Sequence, residues 1–178
     1  MKTLNIKTSD GESFQVEWDI IQKSQTIKTM VEDLGIDQDS VAEDTIPLPN
    51  KEVTGEVLKK VIEWCQENRK APDNMEGVDD EDEDELKPNK PVSLDDLTTW
   101  EKNYIEMPVK EMFPLLICGN FLEIKGLIKL MVKAVALQIQ GKSVEDIRTN
   151  FNIEDPKWTD EELKKLEEEN AWAYDTKK

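Results

Sequence analysis

The sequence predicts a mixed α/β (α+β) fold: a small, mainly N-terminal sheet packed by helices, with two further helices at the C-terminal end. Three observations carry this reading. Apolar and polar residues alternate on either side of a turn signal between Leu4 and Trp18, the pattern of half-buried strands. From Ile20 onward apolar residues recur at helical spacing instead. Residues 122–140 are apolar nearly all round, so a helix there needs cover on more than one side.

Leu4 and Ile6 form one alternating run, and Phe14, Val16 and Trp18 the next. The Asp10-Gly11 turn signal between them makes a β-hairpin. Ile20, Ile21, Ile27, Met30, Val31 and Leu34 then fit helical spacing that Gly35 ends. Residues 37–44 read as an acidic loop. Thr45-Ile46-Pro47-Leu48-Pro49 fits a short edge strand, because proline has no N–H to give a central ladder. Val53, Val57, Leu58, Val61, Ile62 and Cys65 fall on one helical face.

Composition then changes sharply. Eight of the ten residues from Glu76 to Glu85 are Asp or Glu, and prolines at 72, 88 and 91 flank them. Such a block buries too little apolar surface to offset its ordering entropy, so residues from about 70 to 92 are expected to be a disordered loop within the folded unit, the alternative being a linker between two domains. The piece before it is too small and too mixed to hold a core alone. The chain is therefore expected to return and pack against it. Residues 94–107 form a short amphipathic stretch, and 109–121 with 122–140 a helical hairpin that Gly141 closes. Ser143 with Asp146, and Thr159 with Glu162, have the spacing of capping boxes, which places helices over about 144–151 and 160–173. The last is strongly charged, with Leu163 and Leu166 its only long aliphatic residues, yet Trp158, Trp172 and Tyr174 lie around it. The expected division is an α/β core over 1–140 and a helical region over 141–178.

A net charge of -17, from 40 acids and 23 bases, turns the chain away from nucleic acid and anionic membrane surfaces and toward a basic partner patch. Histidine is absent, which removes the usual general base and the commonest metal ligand. Cys65 and Cys118 sit in apolar segments and read as two buried thiols of a reducing compartment. Two cysteines are too few for a disulfide framework or a zinc site, and neither has an activating base. No Gly-rich phosphate loop, G-x-S-x-G or H-E-x-x-H run occurs, and the acidic run lacks EF-hand spacing. No catalytic residue, metal or cofactor is expected. No stretch reaches the ~18 apolar residues of a membrane span, and residues 1–7 have no signal-peptide core. A cytoplasmic and nuclear location is expected. What remains is interface chemistry. Trp158 and Trp172 lie where few apolar neighbours can form a core, so either they fold back onto the chain's own helices or a partner covers them.

Several ordered stretches resemble the Skp adaptors of SCF ubiquitin ligases. Ser9-Asp10-Gly11-Glu12 with Phe14 is similar to that family's opening hairpin, and Ser24 to Gly35 to its second helical segment. Ile46-Pro47-Leu48-Pro49-Asn50, Leu58 to Cys65, Gly119 to Leu127 and Gly141-Lys142-Ser143 also resemble it. So do Ile147-Arg148, Phe151-Asn152-Ile153 and Glu169-Asn170-Ala171-Trp172, all at near-family spacing. The resemblance implies a BTB/POZ core with two C-terminal F-box-binding helices. It implies a non-catalytic adaptor that links F-box substrate receptors to a cullin scaffold and so promotes ubiquitination and proteasomal degradation. The implied cullin contact is Asn120 and Phe121. The implied F-box grip covers Ile124, Leu127, Ile128, Met131, Val135 and Ile139 on the apolar helix, then Ile147, Phe151, Asn170 and Trp172. Trp158 is added on its own spacing. Weak homodimerisation is expected when no F-box protein is bound.

Three departures from the family pattern matter. Phe121 stands where the family usually has Tyr, losing a hydroxyl hydrogen bond of about 1 kcal/mol, which bears on cullin choice or affinity. Pro114 falls where the family continues a helix, so that helix is expected to start later or bend. Val144 replaces a common proline, so proline hydroxylation there is impossible. Competing readings are an F-box-binding scaffold outside any cullin complex, an acidic chaperone for basic proteins acting through residues 76–85, and an enzyme.

Overall fold

In the computed structural model, which describes residues 3–35, 45–70, 92–154 and 158–174, the alternation near the N-terminus forms a hairpin. Strand β1 (Thr3–Lys7) pairs antiparallel with β2 (Ser13–Glu17), with Leu4 opposite Val16 and Ile6 opposite Phe14. Leu4, Ile6 and Val16 point into the core. Gly11 takes φ +89° in the turn, a conformation that costs glycine nothing. The alternation stops one residue short of the expectation: Trp18 opens helix α1 (Trp18–Ile21).

The helical spacing after Ile20 resolves into two helices rather than one. The Ser24 side chain accepts from the Ile27 amide and starts α2 (Gln25–Asp33) afresh. Leu34 ends up in solvent, 62% exposed. The expected acidic loop at 37–44 and the acidic run at 76–85 lie outside the described residues. Strand β3 (Thr45–Pro47) runs parallel to β1 at the sheet edge, in the order β2-β1-β3, where Pro47 costs no ladder bond.

Helix α3 (Gly55–Glu67) buries Leu58, Val61, Trp64 and Cys65. Two oxygens hold its start. Thr54 accepts from the Val57 amide, and Asp10 of the hairpin turn accepts from the Gly55 amide at 2.8 Å. The 94–107 stretch becomes a 3-10 turn (Leu94–Asp96) and α4 (Thr99–Tyr104). A capping box of Thr98 and Glu101, which the sequence reading passed over, starts α4. Tyr104 stacks on Trp100 at 4.7 Å and donates its hydroxyl to the Lys60 carbonyl at 2.8 Å.

The expected helical hairpin is present as α5 (Val109–Phe121) and α6 (Lys125–Ile139), packed on each other. Pro114 neither delays nor ends α5, which begins at Val109 and runs through it. An internal proline costs about 3 kcal/mol, because it withholds an N–H from the carbonyl four residues back. Burying Val109, Met112 and Leu115 on the inner face, at ~1.5–3 kcal/mol each, outweighs that. The first and second halves share one core: Ile6, Ile21, Ile27, Ile46 and Leu58 lie in the same cluster as Met112, Leu115, Leu127 and Met131. The return of the chain expected from the small N-terminal piece is thus observed.

The described chain divides into two compact units, Met1–Lys142 and Ser143–Lys178. In the second, α7 (Val144–Phe151) and α8 (Asp160–Glu169) each begin with the expected capping box. Asn152, at φ +52°, closes α7 in the left-handed conformation that asparagine tolerates. The last helix does not run unbroken to 173. It ends at Asn170, whose side-chain amide donates to the Leu166 carbonyl at 2.8 Å, and a short α9 (Ala171–Tyr174) follows.

Two glycines allow close approach of α6. A Cβ on Gly119 would meet Leu127 at 3.3 Å, and one on Gly126 would meet the buried Trp64 ring at 2.8 Å. Gly126→Ala is expected to destabilise the protein by about 1–3 kcal/mol, because the indole is packed and cannot move aside. Equilibrium urea unfolding checks this; an unchanged midpoint contradicts the close approach.

Candidate functional site

Helix α6 answers the question posed by its nearly continuous apolar sequence. Leu127, Leu130, Met131 and Ala134 form its inner face, each 3% exposed or less. Its outer face carries half-buried Ile128 and Val135 alternating with exposed Val132 and Ile139, at 46% and 42%. These four follow i, i+4, i+7, i+11 spacing, so they form one stripe. An apolar stripe left in water is the mark of an interaction surface.

This arrangement corrects part of the expected contact set. Ile124, Leu127 and Met131 are 2%, 0% and 0% exposed and belong to the core. They pack α6 against the core. Val132 was missed, although it shares the stripe with Ile128. Phe113 and Ile117, one turn apart on the neighbouring α5, are also exposed, at 40% and 43%. A period count on α5 sees the apolar residues but not which of them the fold leaves uncovered.

A second surface lies at the C-terminal end of α5. Asn120 is exposed and Phe121 half-buried against the core. Their backbone is held tightly. The Thr26 hydroxyl donates to the Phe121 carbonyl at 2.8 Å, and the Ser24 hydroxyl to the Leu122 carbonyl at 2.6 Å. The turn that follows is a Schellman motif: Ile124 N–H donates to Gly119 and Glu123 N–H to Asn120, at 2.9 and 3.2 Å. This end of α5 is therefore a fixed platform that displays the Asn120 side chain.

The third surface belongs to the C-terminal unit. Ile147 and Phe151 are half-buried, as is Asn170. Trp158 is 48% and Trp172 73% exposed, with Leu163 and Leu166 at 41% and 43%. Leu163, Leu166 and Asn170 share one face of α8 and its cap by i, i+3, i+7 spacing. Neither tryptophan is folded away in the described chain.

The groups that could carry chemistry are buried or dispersed among the described residues. Burial pushes both the Cys65 and Cys118 thiols up to about 12, so neither is a nucleophile at neutral pH. Burial likewise pushes the Tyr104 hydroxyl up. Among the described residues no three or more Cys, Asp or Glu side chains are grouped to hold a metal. Two open hollows of about 370 and 380 Å³ flank α3. Of the lysines that line them, Lys59 pairs with Glu12 at 3.1 Å and Lys60 with Glu111 at 2.8 Å. No described helix is long and apolar enough to cross a membrane.

A three-stranded sheet covered by helices, with an apolar-faced helical hairpin and a separate helical tail, defines a protein of the BTB/POZ class extended at its C-terminus. Comparison with known proteins shows its family. The family model described as "Skp1 family, tetramerisation domain" matches residues 2–70, and "Skp1 family, dimerisation domain" matches residues 125–173. A Skp1-related protein of Caenorhabditis elegans is 37% identical over 174 residues, spanning 98% of this chain and 93% of the relative. SKP1-like protein 4 of Arabidopsis thaliana is 39% identical over 178 residues, spanning 98% of this chain and 97% of the relative. SKP1-like protein 1A of the same plant is 38% identical over 175 residues, spanning 98% of both. The chain belongs to the Skp1 family.

The helical tail depends on charge. The Thr159 amide and hydroxyl hold the Glu162 carboxyl below its ordinary value of 4.5. A lowered carboxyl contributes stability that is fully present above the ordinary value and is lost as pH falls through the lowered one. Tail helicity is therefore expected to fall as pH drops below that ordinary value. In Thr159→Ala it is expected to be lower already at neutral pH. Circular dichroism of the full chain during an acid titration checks both, with the variant predicted to show the smaller further loss.

Proposed function

We propose that this protein is a non-catalytic adaptor that links F-box substrate receptors to a cullin scaffold in an SCF-type ubiquitin ligase. The observation that carries the proposal is the outer face of α6, an apolar stripe left open on a rigid domain, within a chain that matches the Skp1 family over both units. In this reading the F-box lies along Ile128, Val132, Val135 and Ile139. The tail residues Ile147, Phe151, Trp158, Asn170 and Trp172 complete the grip. An amphipathic receptor helix laid against an apolar face is a familiar mode of recognition. The exposed tryptophans fit it, since large rigid aromatics bury much area at little entropic cost.

The cullin contact is assigned to Asn120 and Phe121. The adaptor itself transfers nothing. It holds receptor and scaffold on one chain, which turns the meeting of substrate and ubiquitin-loading machinery into an intramolecular event at high effective concentration. Ubiquitination and degradation of the substrate follow from that proximity. We place the protein in the cytoplasm and nucleus, where its two buried free thiols stay reduced. Without a receptor the open face of α6 favours weak self-association.

A second reading, an F-box-binding scaffold that works without a cullin, rests on Phe121. Its ring offers no hydroxyl to a partner at this end of α5. One experiment separates the two. Tagged wild type and Trp172→Ala are captured from extracts of the source cells, and bound proteins are identified by mass spectrometry. The adaptor reading expects a cullin and F-box proteins with the wild type. It expects at least a fivefold loss of F-box proteins, with the cullin retained, for the variant. F-box proteins with no cullin favour the scaffold. Recovery of neither refutes both.

A further inference from the structure

Glu123 breaks two local rules at once. It occupies the left-handed position that closes α5, at φ +52°, where glycine is favoured and a side chain with a Cβ is strained. Its carboxylate also stands at the C-terminal end of that helix, the negative end of the dipole. A glycine here would relieve both costs. The side chain is exposed, and among the described residues its carboxylate has no hydrogen-bond or ion-pair partner. Strain that the surroundings impose without any internal return is found chiefly at sites of function.

Its position says which function. Glu123 belongs to the same turn as Asn120 and Phe121, and its own amide donates to the Asn120 carbonyl. The Schellman bonds and the Ser24 and Thr26 hydroxyls fix that turn from behind, so the carboxylate is presented from a rigid support. We propose that Glu123 is a specificity-determining contact of the cullin-binding surface, pairing with a basic side chain of the cullin. This rests on the adaptor reading above and names a further residue of that interface. An ion pair at the rim of an interface acts mainly on encounter and partner choice, and salt weakens it. It also compensates for what Phe121 lacks: the platform without a tyrosine hydroxyl keeps a charged group a turn away.

The competing role is local. Helix α6 begins two residues later, and Ile124 gives it no side-chain cap, so the carboxylate could serve that N-terminus instead. Three full-length chains separate the roles: wild type, Glu123→Gln and Glu123→Gly. Binding is measured against the recombinant N-terminal domain of the cullin recovered with the wild type, at low and at physiological salt. Urea midpoints are measured in parallel.

The inference expects both variants to bind about five- to tenfold more weakly at low salt, with the gap narrowing as salt rises. It expects the Gln midpoint to match wild type and the Gly midpoint to rise. Wild-type binding with undiminished affinity for Glu123→Gln overturns the inference and leaves the adaptor reading intact. So does a lowered midpoint for Glu123→Gln, with binding lost only in proportion to it, which assigns the carboxylate to α6. Failure of the wild type to bind any cullin overturns both.

Discussion

The Ser24 hydroxyl joins parts of the chain 98 residues apart, and much of the first unit depends on that closure. Fully buried, it accepts from the Ile27 amide to start α2 and donates to the Leu122 carbonyl at the end of α5. Both polar capacities are used, as a buried hydroxyl requires. Thr26 repeats the link one residue over, to the Phe121 carbonyl. Around these bonds the inner faces of the hairpin, α3, α5 and α6 close into one core. Leu4 and Ile6 share that core with residues of helices that lie beyond the acidic segment.

The closure has a consequence for recognition. It holds the C-terminal end of α5 by side-chain hydrogen bonds and a Schellman turn, so Asn120 and Glu123 project from a rigid support. It also commits α6 to the core through Leu127, Leu130, Met131 and Ala134, with Gly119 and Gly126 permitting the close approach. That leaves Ile128, Val132, Val135 and Ile139 facing outward. A domain of this size has material to cover one side of such a helix and not the other. The open stripe is therefore built into the fold, and a rigid open stripe loses less freedom on binding than a flexible segment does.

Local signals were read most accurately. The Ser143–Asp146 and Thr159–Glu162 capping boxes and the Asp10-Gly11 turn rest on interactions within a few residues, and all stand as expected. Boundaries fared worse where a side chain made an early bond with the backbone. Ser24 divides one apolar run into two helices, and Asn170 ends α8 before the tryptophan beyond it. Pro114 was expected to delay or bend its helix because its lost bond is visible in the sequence, whereas the burial that offsets it is not.

The sequence by itself determined the fold class, most of the elements in order, the free buried thiols and the family resemblance. Each is carried by periodicity, composition or short motifs, which need no knowledge of distant neighbours. It also showed that α6 has more apolar surface than one face can hide. Only the tertiary structure decided which face is which. Ile124, Leu127 and Met131, expected at the partner surface, are core residues, while Val132 is exposed beside Ile128. On a helix apolar almost all round, the residue pattern is nearly symmetric about the axis. The choice of inner face is made by what packs there, and those neighbours come from elsewhere in the chain.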